Sequence, residues 1–210
     1  MQQTIAILGA GGKLGREVVA ASLSRGLAVR ALVRRAVPTL AGETAVVGDA
    51  RDASAIETLV RGATAVLSLV GPGPDSPSDL STGFTRVLLD AMRREHVARL
   101  VYVSGVMIGH PIDRRGLMYR LIPALMPATA RAQTADRAAA EHVVMTSDLD
   151  WTIVRPSRLT LGAPRGGIAY GERVRIGSLA AIRRADLAVF LLDAITRADL
   201  SHRAIAVLGR

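Results

Sequence analysis

Two groups of residues have types and spacings that suggest chemistry. The first is Gly9, Gly11, Gly12 and Gly15, in the run TIAILGAGGKLGREVV from Thr4 to Val19. Glycines between an apolar strand and a helix let backbone N–H groups approach a diphosphate, with the helix N-terminus aimed at it. No Lys-Ser/Thr pair closes the loop, so it is not a Walker A loop. Lys13 faces either the phosphates or solvent. A tight βα turn that binds nothing is the alternative. The second group is Arg34 and Arg35, which end the run AVRALVRR. They stand about twenty residues beyond the glycines, where an NAD site carries an acid for the ribose 2′-hydroxyl. No acid is near, and a guanidinium suits a 2′-phosphate. The residues therefore predict NADPH over NADH, with Arg34 the main contact, against the alternative of two solvated arginines. Asp49, in VVGDA, either approaches the adenine or forms a turn.

The elements that must position these residues follow from periodicity. Strand-like runs cover Thr4–Leu8, Ala28–Val33, Ala45–Val47, Ala65–Val70, Leu100–Val103 and Trp151–Val154. Helical patterns lie between them at about Lys13–Arg25, Ser54–Arg61, Asp79–His96 and Arg131–Ser147. Ser54–Glu57 fits a capping box. Apolar strands alternating with helices read as a parallel sheet covered on both faces. The expected fold is α/β, a Rossmann-type doubly wound parallel sheet in one domain over residues 1–210. Residues 157–210 are expected to form a small substrate-side extension. It comprises a hairpin around Gly171-Glu172, a helix in RRADLAVFLLDAITR and a last strand in RAIAVLG. GPGPDSPSD, Gly71 to Asp79, reads as a long loop directly after a strand.

These pieces together resemble the atypical short-chain dehydrogenase/reductases with an NmrA-like NAD(P)-binding domain, and within them the biliverdin-IXβ/flavin reductases. GAGGKLG stands for the family's GATGxxG, ALVRR for its strand end and VVGDARD for its GD turn. GATAVLSLVG, VYVSG and LDWTIVRPSRL continue the likeness over nearly the whole chain. Gly11 departs from the pattern, where the family commonly has threonine. The resemblance implies that Gly9, Gly12, Lys13, Leu14, Arg34, Asp49, Ala50, Leu69, Val70 and Gly71 line the cofactor. It places Pro156 and Ser157 near the nicotinamide. Ser104 matches the family's active-site serine, expected to hydrogen-bond the acceptor or the nicotinamide carboxamide; a serine satisfying local backbone groups is the alternative.

Most short-chain reductases donate a proton through a Tyr-x-x-x-Lys pair. Lys13 is the sole lysine, and four residues beyond Tyr102, Tyr119 and Tyr170 stand Val106, Pro123 and Val174. That device is excluded. Hydride transfer to a conjugated acceptor does not need it, because the cofactor carries the difficult chemistry and the protein positions the rings. His110, in MIGHPIDRR, is a second catalytic candidate as a proton donor, or a plain loop residue. Glu141 and His142 are expected on a helix surface. The Met107–Pro127 segment reads either as an apolar lid or as structural packing, and Arg114, Arg115 and Arg158 as possible contacts for an anionic substrate.

Composition narrows the classes further. The absence of cysteine removes thiolate and disulfide chemistry, and four scattered histidines leave no metal site expected. The net charge is +9, with one lysine among 27 basic residues. The arginines are spread along the chain without interleaved aromatics, so nucleic acid is not expected as a partner. LMYRLIPALMP is too short for a membrane span and is broken by Pro123 and Pro127. No leader is visible, and a cytoplasmic monomer or homodimer acting on a small molecule is expected. The reading is an NADPH-dependent reductase of a flavin, quinone or biliverdin-like acceptor, with FMN among the flavins. The alternative is a non-catalytic NADP(H)-binding redox sensor.

Overall fold

The computed structural model describes residues 3–36, 38–73, 76–108, 114–115, 126–177 and 179–210. In chain order the strands are β1 (Thr4–Leu8), β2 (Ala28–Val33), β3 (Glu43–Val47), β4 (Ala65–Ser68), β5 (Arg99–Val103) and β6 (Arg114–Arg115). After them come β7 (Asp150–Pro156), β8 (Arg158–Thr160), β9 (Ile168–Gly171), β10 (Arg175–Ile176), β11 (Ala181–Arg183) and β12 (Arg203–Gly209). The helices are α1 (Lys13–Ser24), α2 (Ala53–Val60), α3 (Leu80–Arg94), α4 (Ala128–Met145) and α5 (Arg184–Thr196).

A strand that is apolar at every position needs cover on both faces. β1 shows how that cover is supplied. Ile5 and Ile7 join a core with Val18 and Val19 of α1 and Leu187 and Leu191 of α5. Ala6 and Leu8 point the other way, into a core with Ile56 of α2, Phe84 and Leu88 of α3 and Val144 of α4. Val101 and Val103 of β5 divide from Leu100 and Tyr102 in the same way. The period of two across each strand thus builds two cores from one sheet.

The sheet has eight strands in the order β3-β2-β1-β4-β5-β7-β12-β9. Every pairing is parallel except β12 with β9. The chain runs outward through β1, β2 and β3, then returns to add β4 on the other side of β1. This reversal opens a crevice at the carboxyl ends of β1 and β4, where doubly wound sheets bind ligands. β12 and β9 extend the same sheet, and α5 lies beside α1.

Two local expectations change. The box at Ser54–Glu57 does not open α2. Asp52 caps the helix instead, accepting from Ser54 N at 2.9 Å and Ala55 N at 3.4 Å. The hairpin around Gly171-Glu172 does not close on itself: β9 pairs with β12, and β10 pairs with β6. Among the described residues no helix is long and apolar enough to cross a membrane.

Candidate functional site

The glycine turn joins β1 to α1 at the crevice. Gly9 has φ +79°, and a Cβ on it would lie 2.9 Å from the carbonyl carbon of Leu69. Only glycine allows the end of β1 to press this closely against the chain leaving β4. A Cβ on Gly15 would lie 2.2 Å from the Gly9 carbonyl oxygen, so α1 starts directly on the turn. Gly12 caps α1 with extended backbone, and no acid occupies the first turn. The amides of Lys13, Leu14 and Gly15 have no helical carbonyl to reach, and the positive end of the helix dipole faces outward. This cradle fits a dinucleotide diphosphate. Lys13 is exposed and Leu14 half-buried. A side chain on Gly11 would meet nothing within 4 Å, so the departure from threonine leaves the packing of the turn intact.

Arg34 and Arg35 follow β2 as exposed side chains, and neither makes a hydrogen bond or ion pair among the described residues. Asp49 closes its own turn, its Oδ1 accepting from Arg51 N at 2.9 Å and Arg51 Nε at 3.4 Å. That is the turn-forming alternative read from the sequence, and the carboxylate is otherwise exposed. Ala50 beside it packs against the α2-side core.

Across the crevice, β4 ends at Ser68, two residues earlier than expected. Leu69 and Val70 sit half-buried beyond it and Gly71 is exposed. Ser104 follows β5 and is 5% exposed. Its N–H donates to Val154 O at 2.8 Å, but its hydroxyl has no partner. Local backbone therefore does not satisfy this serine. Pro156 ends β7, and the N–H of Ser157 donates to Val207 O at 3.0 Å. The hydroxyls of Ser157 and Ser68 are also buried without partners. Three adjacent strands thus each present an orphan hydroxyl at or just past their carboxyl ends. A buried polar group left unpaired costs about 1–3 kcal/mol.

One face of α4 organises this end of the crevice, and sequence reasoning missed it. Gln133 donates to the carbonyls of Gly73 at 3.2 Å and Ser76 at 3.4 Å, holding the loop after β4. Asp136 caps α3, whose own N-cap Asp79 makes no side-chain bond. It accepts from Ser81 N at 2.6 Å, Thr82 N at 3.1 Å and Thr82 Oγ1 at 2.6 Å. Burial pushes the Asp136 carboxyl up, but these bonds outweigh it and hold the pKa below its ordinary value. Arg137 donates through Nη2 to Ser104 O at 2.9 Å. Glu141, expected on the surface, is 2% exposed and paired with Arg155 of β7, Nη2 to Oε2 being 2.5 Å. His142 is exposed, as expected. Spacings of three, four and eight residues from Gln133 were the available signal. Tyr102 lies below, its hydroxyl 3.1 Å from Thr85 Oγ1, and burial pushes its pKa up to about 12. It is a structural phenol. His110 lies outside the described residues, as does most of the Met107–Pro127 segment. Arg158 is exposed at the start of β8, and Arg114 and Arg115 pair with β10 through their backbone.

A family model described as NAD(P)H-binding matches residues 9–198. Sterol demethylase protein B of Methylococcus capsulatus is 32% identical over 172 residues, covering 74% of this chain and 51% of that protein. The chain spans about half the length of this relative. An anaerobillin reductase from Escherichia coli is 24% identical, with TM-score 0.78, over 98% of this chain and 96% of that one. A short-chain dehydrogenase/reductase from Veillonella parvula, in complex with NADP, is 17% identical, with TM-score 0.80, over 100% and 95% of the two chains. The structural likenesses show the fold.

Proposed function

The chain belongs to the NAD(P)H-binding family, and from that premise we propose that it is an NADPH-dependent reductase of a conjugated acceptor, a flavin, quinone or biliverdin-like ring system. The observation that carries this reading is the glycine turn pressed against Leu69, which leaves three amides at the α1 N-terminus aimed into the crevice. A bound dihydronicotinamide supplies the hydride. Main-chain amides after Gly12 hold the diphosphate. Arg34 takes the 2′-phosphate by a bidentate, charge-assisted contact. Leu69 and Val70 line the coenzyme, Pro156 and Ser157 lie near its nicotinamide end, and the Ser104 hydroxyl orients the carboxamide or the acceptor. The absent Tyr–Lys pair supports a conjugated acceptor over a simple carbonyl, because the proton can come from water.

Titration calorimetry with NADPH and NADH, followed by coenzyme oxidation with FMN or a quinone, tests the reading. NADPH binds more tightly than NADH, and Arg34→Glu lowers NADPH affinity roughly tenfold or more while leaving NADH nearly unchanged. Ser104→Ala slows turnover without removing coenzyme. Absence of any binding heat at millimolar coenzyme overturns the proposal. Tight binding without turnover on a panel of acceptors favours the redox-sensor alternative.

A further inference from the structure

The removal of Tyr-x-x-x-Lys chemistry leaves open which group, if any, meets negative charge at the site. Arg99, Arg137 and Arg155 lie in or against β5 and β7, and they differ in how they are satisfied. Arg99 donates to Ile195 O at 2.9 Å, Thr152 Oγ1 at 2.8 Å and Asp150 Oδ1 at 3.1 Å. Arg155 is forked onto both oxygens of Glu141. Arg137 makes one hydrogen bond among the described residues, to Ser104 O, and no ion pair.

Among the described residues, the surrounding charges are committed elsewhere. On its own helix, Asp136 is bound to the start of α3 and Glu141 to Arg155. From β5, the Tyr102 phenol is neutral and bonded to Thr85. From β7, Arg155 is a second cation already neutralised. Burial pushes the Arg137 guanidinium below its ordinary pKa, against the weaker opposing influence of Tyr102 and Glu141. A half-buried cation without a counter-ion is unfavourable unless something else meets it. The Arg137 side chain is half-buried rather than enclosed. The orphan Ser104 hydroxyl belongs to the residue that Arg137 holds.

We propose that Arg137 is the specificity-determining cation of an acceptor subsite, selecting ligands that place an anionic oxygen beside Ser104. The inference rests on the reductase reading and names the chemistry it favours. When hydride leaves its dihydronicotinamide donor, that C–H bond breaks and a new bond to hydrogen forms on the acceptor. The displaced π electrons settle on a conjugated carbonyl oxygen, which becomes an oxyanion and then takes a proton from water. The donor is oxidised by two electrons and the acceptor reduced by two. A guanidinium anchored to Ser104 O stands ready for that charge before it develops, so little reorganisation is needed.

The test needs no coenzyme. A hydroxynaphthoquinone, anionic at neutral pH, and the uncharged parent naphthoquinone are titrated into the protein by calorimetry. The wild type binds the anion more tightly. Arg137→Gln erases roughly tenfold of that preference while the parent quinone binds as before, which serves as the check on folding. Arg137→Lys retains most of the preference. Equal losses for both quinones, an unchanged preference in Arg137→Gln, or no quinone binding by the wild type overturns the inference. NADPH titration of the same samples separates the two failures: intact coenzyme binding sinks the Arg137 role alone, and its absence sinks the reductase reading.

Discussion

The Glu141–Arg155 pair is the strongest single joint between α4 and the sheet, and its removal has a calculable consequence. Arg155 Nε lies 3.1 Å from Oε1 and 3.2 Å from Oε2 of Glu141, and Nη2 lies 2.5 Å from Oε2. The side chains are 4% and 3% exposed. Glu141→Leu leaves the buried guanidinium without a counter-ion, which costs about 3–5 kcal/mol. An unfolding entropy of about 2.1 cal/mol/K per residue over the 210 residues gives about 0.44 kcal/mol/K. The melting midpoint therefore falls by about 7–11 °C. Glu141→Leu combined with Arg155→Met removes both charges and recovers most of the loss, because a buried ion pair is often no better than apolar packing of similar volume. Calorimetric melts of the four proteins give the coupling directly. A single variant that loses less than about 1 kcal/mol, or a double variant as unstable as the sum of the singles, would refute the claim that the charge is sequestered.

Two further outcomes follow from the geometry. Gly12→Ala puts its Cβ 3.3 Å from Gly9 O in extended backbone; it melts within a few degrees of wild type yet binds NADPH more weakly, whereas Gly15→Ala, at 2.2 Å from the same oxygen, destabilises the fold itself. Burial holds the Tyr102 proton to about pH 12, while the unfolded phenol releases it near 10, so stability falls by up to about 3 kcal/mol as pH rises from about 10 to about 12. Urea midpoints across that range show the decline, and Tyr102→Phe flattens it.

The legible parts of the chain were those whose cause is local. Gly9 and Gly15 can be read from spacing because a positive φ at the first and a missing Cβ at the second are requirements of the turn itself. The apolar strand runs identified the sheet because both faces needed cover. Errors arose where a local signal was real but its partner was distant. Gly171-Glu172 is a turn, yet nothing in its vicinity shows that β9 takes the free edge of β12 rather than a near neighbour. Ser54 resembles a cap, but Asp52 stands nearer to the start of the helix and accepts both amides. Glu141 looked like an ordinary surface charge on an alanine-rich helix, because its counter-ion lies on a strand fourteen residues away.

From sequence alone came the order of the main strands and helices, the parallel sheet, the glycine turn between β1 and α1 and the exclusion of a Tyr–Lys pair, all consequences of residue type, spacing or absence. Tertiary structure decided which charges are spent and which are free. Arg99, Arg137 and Arg155 are the same residue type in the sequence. Only packing commits Arg99 to carbonyls, a hydroxyl and the Asp150 carboxylate and Arg155 to the Glu141 carboxylate, and leaves Arg137 beside Ser104 with a single bond among the described residues. The reason is that desolvation and hydrogen-bond satisfaction depend on neighbours brought together across the fold, and no spacing along the chain encodes them.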